Sequence, residues 1–121
     1  MSNQSIGKLG EQYAAQFLAS KNHQIIHSNY SCKYGEIDLI ALKEKTLIFV
    51  EVKTRRSNYF GSPKESITRK KLSNIVKTGL HFLNQSRKKQ FTSWRIDLIA
   101  IELEGNSSLK NISHLISIHY G

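Results

Sequence analysis

Gly35-Glu36-Ile37-Asp38-Leu39-Ile40-Ala41-Leu42, the charged link Lys43-Glu44-Lys45-Thr46, and Leu47-Ile48-Phe49-Val50-Glu51-Val52-Lys53-Thr54 decide the fold of this 121-residue chain. Both arms are rich in aliphatic and β-branched residues, and so short a link implies a hairpin with antiparallel pairing. Side chains alternate along a strand, which puts Glu36, Asp38 and Ile40 on one face of the first arm. Phe49, Glu51 and Lys53 likewise share a face of the second. The opposite faces, Ile37-Leu39-Ala41 and Ile48-Val50-Val52, are wholly apolar and read as core. With Glu44-Lys45 as the loop, Lys43 faces Thr46, and counting back sets Asp38 opposite Glu51 and Glu36 opposite Lys53. A slip of one residue would destroy that alignment.

Directly opposed residues of an antiparallel pair have Cβ atoms about 4.5–5.5 Å apart, where like charges destabilise the sheet. Two carboxylates among apolar neighbours therefore need a compensating positive charge. A divalent cation with oxygen ligands, Mg²⁺ or Mn²⁺, supplies it, and Lys53 adds a second. Such a pair can hold the ion against a phosphodiester and lower the pKa of a bound water. Lys53 is then placed to orient or deprotonate that water, or to stabilise developing negative charge. The plain alternative is that Asp38, Glu51 and Lys53 form salt bridges on a solvated sheet face.

Outward from the hairpin, Ile6, Leu9, Tyr13, Ala14, Phe17 and Leu18 recur at helical spacing and predict a helix from Asn3 to Lys21. A strand is expected from His23 to Tyr30. After the hairpin, Arg55 to Pro63 reads as a basic loop carrying Tyr59 and Phe60. A second helix is expected from about Ser66 to Gln85, with Ile67, Leu72, Ile75, Val76, Leu80 and Leu83 toward the core. Strands follow at Ser93 to Leu103 and about Ile112 to His119. The order αβββαββ implies one α/β domain, residues 1–121, with a mixed five-stranded sheet flanked by helices.

Eighteen Lys+Arg against nine Asp+Glu give a net charge of +9, which favours a polyanionic partner through counterion release. No apolar run is long enough to span a bilayer, and the first residues lack the apolar core of a signal peptide. A single cysteine, Cys32, excludes an internal disulfide and a cysteine-based zinc cluster, and the five histidines show no ligand spacing. A cytoplasmic protein that faces nucleic acid, not a membrane, is the expectation.

Asp38, then twelve intervening residues, then Glu51-Val52-Lys53 resembles the D…ExK core of the restriction-endonuclease-like superfamily. More closely, the chain resembles the bacterial YraN family of predicted endonucleases. The matching stretches are Gly7-Lys8-Leu9-Gly10-Glu11, Asn29-Tyr30, Gly35 to Ile40 and Phe49 to Arg55. Phe60-Gly61, Lys71 and Arg95-Ile96-Asp97 carry the match over nearly the whole chain. The resemblance implies a restriction-endonuclease-like fold with a metal ion held by Asp38 and Glu51. It also implies kinship with archaeal Holliday-junction resolvases, which place a glutamate on the first helix near the metal; Glu11 occupies that kind of position. By its place on the helical wheel, Glu11 either leans toward the sheet or is a first-turn glutamate favoured by the helix dipole. Ile37 stands where the superfamily usually has proline, which contributes no catalytic group.

Arg55 and Arg56, after the ExK strand, and Lys70 and Lys71, at the start of the second helix, are candidate phosphate contacts. Their alternative is an ordinary solvated basic surface. Glu36 reads as a supporting partner of Lys53, and Arg95 with Asp97 as a structural ion pair. The leading expectation is a Mg²⁺- or Mn²⁺-dependent endonuclease acting on DNA rather than RNA, on branched or flapped structures, with Asp38, Glu51, Lys53 and Glu11 at its site. A homodimer is suggested by analogy with junction-cutting relatives. The rival is a catalytically silent nucleic-acid-binding or scaffold protein that retains the fold; a third reading docks the basic surface onto an acidic protein.

Overall fold

The hairpin forms in the register that the shortest loop dictates. In the computed structural model, which describes residues 3–56, 67–86 and 91–119, Lys43 pairs with Thr46, Ala41 with Ile48 and Leu39 with Val50. Glu44 adopts a left-handed φ of 55° to close the turn. These arms are β2 (Gly35–Lys43) and β3 (Thr46–Arg56). Around them lie α1 (Asn3–Ser20), β1 (Gln24–Cys32), α2 (Arg69–Gln85), β4 (Ser93–Leu103) and β5 (Leu109–Leu115). The sheet order is β1-β2-β3-β4-β5. Among the described strands only β3 and β4 pair in parallel, with α2 in the connection that parallel pairing requires.

Each face of this mixed sheet is covered by one helix. Ala14 and Leu18 of α1 pack on Leu39, Ala41, Ile48, Val50, Ile99 and Ile101. Ile75 of α2 packs on Ile37, Ile40, Leu47, Phe49 and Ile96 on the other side. The order αβββαββ and the five-stranded α/β architecture are those expected. Both faces of the hairpin are core, however, where the sequence pattern assigned burial to one. Among the described residues, no helix is long and apolar enough to cross a membrane.

Several boundaries move for local reasons. Helix α1 stops at Ser20, where Asn22 turns left-handed (φ 65°) and the His23 amide donates to the Leu18 carbonyl at 2.9 Å. Helix α2 starts after Thr68, whose hydroxyl oxygen accepts from the Lys71 amide at 3.0 Å. Ser66, the expected start, lies outside the described residues. Leu80, expected in the core, is 44% exposed. Gly79 takes the inward place, and the ring of Phe49 packs where a Cβ would stand. Strand β3 runs on to Arg56, so Arg55 and Arg56 pair with Glu102 and Leu103 and do not open a loop; Tyr59 and Phe60 lie outside the described residues. Strand β1 extends to Cys32. Strand β5 begins at Leu109 and ends at Leu115, beyond which the Ser117 amide turns back to Asp97 and the Ile118 amide to the Ile96 carbonyl.

Candidate active site

The β2–β3 ladder ends at Leu39 and Val50, one step short of Asp38 and Glu51. From there a side chain replaces a backbone partner: Asp38 Oδ2 accepts from the Val52 amide at 2.8 Å. Strict alternation also fails at this point, because Ile37 packs with the α2 cluster while Leu39 and Ala41 pack with α1. Across the sheet, Asn29 in β1 takes a left-handed φ of 55°, while the β1–β2 register runs on unchanged from Ser28–Leu39 to Tyr30–Ile37. Asp38 and Glu51 lie within hydrogen-bonding reach of one another. Glu36, Asp38 and Glu51 then line an open cavity of about 340 Å³ with Gly35, Lys71, Asn74 and Ile75.

Asp38 and Glu51 are thus brought together as the hairpin count required. Burial, and next the Glu51 carboxylate, push the Asp38 carboxyl up from 3.8 to about 7; the Val52 amide pulls the other way, and Glu11 adds further repulsion. Glu51 is itself buried, and Lys71 Nζ lies 2.9 Å from its Oε1. Lys71, expected to contact phosphate, therefore reaches into the site from α2.

Glu11 is half-buried, in the third turn of α1, so the helix-dipole reading does not apply. The Asn29 side-chain amide links it to the site, donating to Glu11 Oε1 at 3.1 Å and to Glu36 Oε1 at 3.2 Å. Glu36 is therefore tied to Asn29. Among the described residues no salt bridge joins it to Lys53, because the ladder that would oppose them has already ended. Lys53 is half-buried beside Ala100, two residues beyond Glu51 on the same strand face, and outside the cavity lining. Arg55 is half-buried on that same face, while Arg56 is exposed and donates to the Gly105 carbonyl at 3.2 Å. Lys70 is exposed in the first turn of α2.

Sequence reasoning overlooked Asn29 and Asn74 as site residues. Asn29 had one usable signal, since asparagine tolerates the left-handed backbone; the approach of α2 that delivers Asn74 and Lys71 is a tertiary fact with no signature in spacing. Arg95 and Asp97 form the expected ion pair (Nε–Oδ1 3.0 Å), with Asp97 fully buried. Among the described residues, no group of three His, Cys, Asp or Glu side chains converges as a metal cage.

This geometry coincides with a recognised sequence kinship. A family profile described as "Uncharacterised protein family UPF0102" matches residues 10–101, a span that runs from Gly10 through Asp38, Glu51 and Lys71 to Asp97. The chain belongs to the UPF0102 family. The YraN resemblance and this membership are one finding. A UPF0102 protein of Syntrophomonas wolfei is 39% identical over 115 residues, covering 95% of this chain and 97% of its own. One from Sulfurihydrogenibium is 45% identical over 100 residues, covering 83% and 84%. One from Caldanaerobacter subterraneus is 38% identical over 118 residues, covering 97% and 96%.

The UPF0102 match begins at Gly10, and packing gives that glycine a reason. A Cβ there would collide with the Cβ and both branches of Thr54, so α1 lies directly on the end of β3. That close approach sets Glu11 beside the site. Gly10→Ala is expected to cost about 1–3 kcal/mol by overpacking, because rotating Thr54 cannot clear its own Cβ. Urea denaturation checks it; a variant as stable as wild type would show that α1 is loosely seated.

Proposed function

We propose that this protein is a metal-dependent endonuclease that hydrolyses DNA phosphodiester bonds at the Asp38–Glu51 pair. The observation that carries the reading is two neighbouring carboxylates on adjacent strands, one of them held protonated to about pH 7 by burial and by the other. That is a site in want of a cation. The donor set fits Mg²⁺ or Mn²⁺: hard oxygen ligands, two from protein, in a cavity open enough for the ion to keep waters and take a phosphate. Asp38 and Glu51 would hold it. When bound, the ion supplies Lewis acidity toward a phosphoryl oxygen and makes water a stronger acid.

The chain's own residues do the rest. The Val52 amide fixes the rotation of the Asp38 carboxyl. Asn29 holds Glu11 and Glu36 at the rim, where their charge supports cation binding. Lys71, now on Glu51, becomes free for a substrate phosphate oxygen once another cation takes that carboxylate. Lys53 presents its ammonium on the Glu51 face, where it can orient the attacking water or stabilise charge on the phosphorus oxygens. The +9 net charge draws the polyanion to the surface.

One observation favours a second reading. The Lys71–Glu51 ion pair partly neutralises the site without any metal, as a catalytically silent nucleic-acid-binding or scaffold protein would have it. Titration calorimetry with Mn²⁺ separates the two. Wild type should bind the ion and Glu51→Gln should not, and on a panel of duplex, single-stranded and branched DNAs only wild type should cut. Salt-sensitive DNA binding with no Mn²⁺ heat, unaltered by Glu51→Gln, would establish the silent reading instead.

A further inference from the structure

Five large apolar side chains are at least 39% exposed among the described residues: Tyr34, Leu80, Trp94, Leu109 and Ile116. Tyr34 stands apart because the next two residues, Gly35 and Glu36, line the acidic cavity. It occupies the tight turn between β1 and β2, where Cys32 pairs with Gly35. Its amide donates to Cys32 Sγ at 3.4 Å, and Gly35 takes a φ of 146° that other residues rarely adopt. The turn is thus fixed at the backbone, and burial does not hide the ring. The ring of His81 meets it edge-on at 6.5 Å, and His81 is itself anchored by a 2.6 Å hydrogen bond between its Nδ1 and Tyr30 Oη. The exposed Lys33 ammonium sits over one face of the Tyr34 ring, 5.2 Å from its centroid, in a cation–π contact that an incoming base would displace.

We propose that Tyr34 is a stacking platform for one unpaired nucleobase of the bound strand, with Lys33 as the contact for a phosphate flanking that base. An exposed aromatic ring with an ammonium on a long, solvent-exposed stem above it matches the two halves of a nucleotide: the base takes the ring face and the ammonium moves onto the flanking phosphate. A base paired inside a duplex keeps both faces covered by its neighbours, so the platform selects strands that are single or locally opened. This gives the site its substrate class, single-stranded or frayed DNA, and rests on the nucleic-acid reading above. It does not depend on metal or cleavage, because neither Tyr34 nor Lys33 lines the carboxylate cavity.

The test uses the full chain in EDTA and a short single-stranded oligonucleotide carrying 2-aminopurine, with a blunt duplex for comparison. Tyr34→Ala should weaken single-strand binding by roughly 5- to 100-fold, the loss of one base–aromatic stack, and abolish the quenching of 2-aminopurine on binding. Tyr34→Phe should keep both, and blunt-duplex affinity should be the same in all three proteins. Equal single-strand affinity in wild type and Tyr34→Ala overturns the proposal. So does an equal loss on single strand and duplex, or a Phe variant as weak as the Ala variant. Far-ultraviolet circular dichroism and matched melting curves show that the variants are folded. Failure of the Mn²⁺ titration with this result intact would sink the nuclease reading alone, since no metal enters this assay.

Discussion

Asp38→Asn is expected to make the metal-free protein more stable at pH 8 while abolishing its Mn²⁺ binding and DNA cleavage. In the folded chain the Asp38 carboxyl titrates at about 7, against 3.8 ordinarily, because burial and the Glu51 carboxylate both disfavour its charge. Between those values the unfolded chain has released a proton that the folded chain keeps, so stability falls as pH rises from about 4 to about 7. The gap is worth about 4 kcal/mol at full extent. Asparagine never ionises, and its carbonyl can still accept the Val52 amide, so the variant escapes that penalty. Urea denaturation in EDTA at pH 4 and pH 8 reads the effect: the two proteins should match at pH 4 and diverge at pH 8, the variant being the more stable. Millimolar Mn²⁺ should then raise the melting temperature of wild type at pH 8 and leave the variant where it was. A variant destabilised at pH 8 would mean that Asp38 is a structural acid, and the proposed chemistry would lose its centre.

The hairpin was legible because its loop admits few registers and a two-residue period leaves no freedom once the loop is set. Counting therefore carried Asp38 to Glu51 correctly. The same count failed two pairs further, at Glu36 and Lys53, because it assumed an ideal ladder. The β2–β3 ladder stops at Leu39–Val50 and Ile37 turns to the α2 side, and neither departure is visible in hydrophobic spacing. Lys71 was legible as a charge near a helix start, but not as the partner of Glu51, since that depends on how α2 lies across β2. Leu80 was misjudged for a similar reason. An apolar residue at plausible spacing looked inward, whereas the ring of Phe49 needs a glycine at that contact, and the face is centred on Ile75 and Gly79. Periodicity located the helices and strands; the identity of each contact came from neighbours distant in sequence.

Nowhere is that plainer than in two identical pentapeptides, Ile37-Asp38-Leu39-Ile40-Ala41 and Ile96-Asp97-Leu98-Ile99-Ala100. Burial is the largest influence on both aspartates and acts to raise each. Asp38 has one amide donor and faces other carboxylates, so it stays raised. Asp97 receives His114 Nε2 at 2.8 Å, the Arg95 guanidinium at 3.0 and 3.3 Å and the Ser117 amide at 3.0 Å. Those donors overcome burial and hold its carboxyl below the usual range. On the proposed reading the first aspartate, its charged form disfavoured, is the one available for chemistry, and the second, held by four hydrogen bonds, is structural. Asp97→Ala should accordingly cost about 3–5 kcal/mol, because it strands the half-buried Arg95 and His114 around a fully buried vacancy and releases the chain after β5. The sign of the pH effect is also opposite to that of Asp38. With a depressed folded value, the Asp97 contribution is fully present above about pH 4 and is lost as pH falls through its folded pKa. These two aspartates alone would place the optimum in mild acid, where Asp97 is ionised and Asp38 is still largely protonated. His23, kept neutral by burial, moves it upward, because its contribution is lost as pH falls below about 6.5. Denaturant titrations from pH 3 to 8 check both aspartates: Asp97→Ala should remove the part of the acid limb below about pH 4 and leave the Asp38 decline intact, and Asp38→Asn should do the reverse. If Asp97→Ala lost less than about 1 kcal/mol, the network would be an exposed-type pairing in energetic terms, and the contrast between the two aspartates would no longer separate site from scaffold.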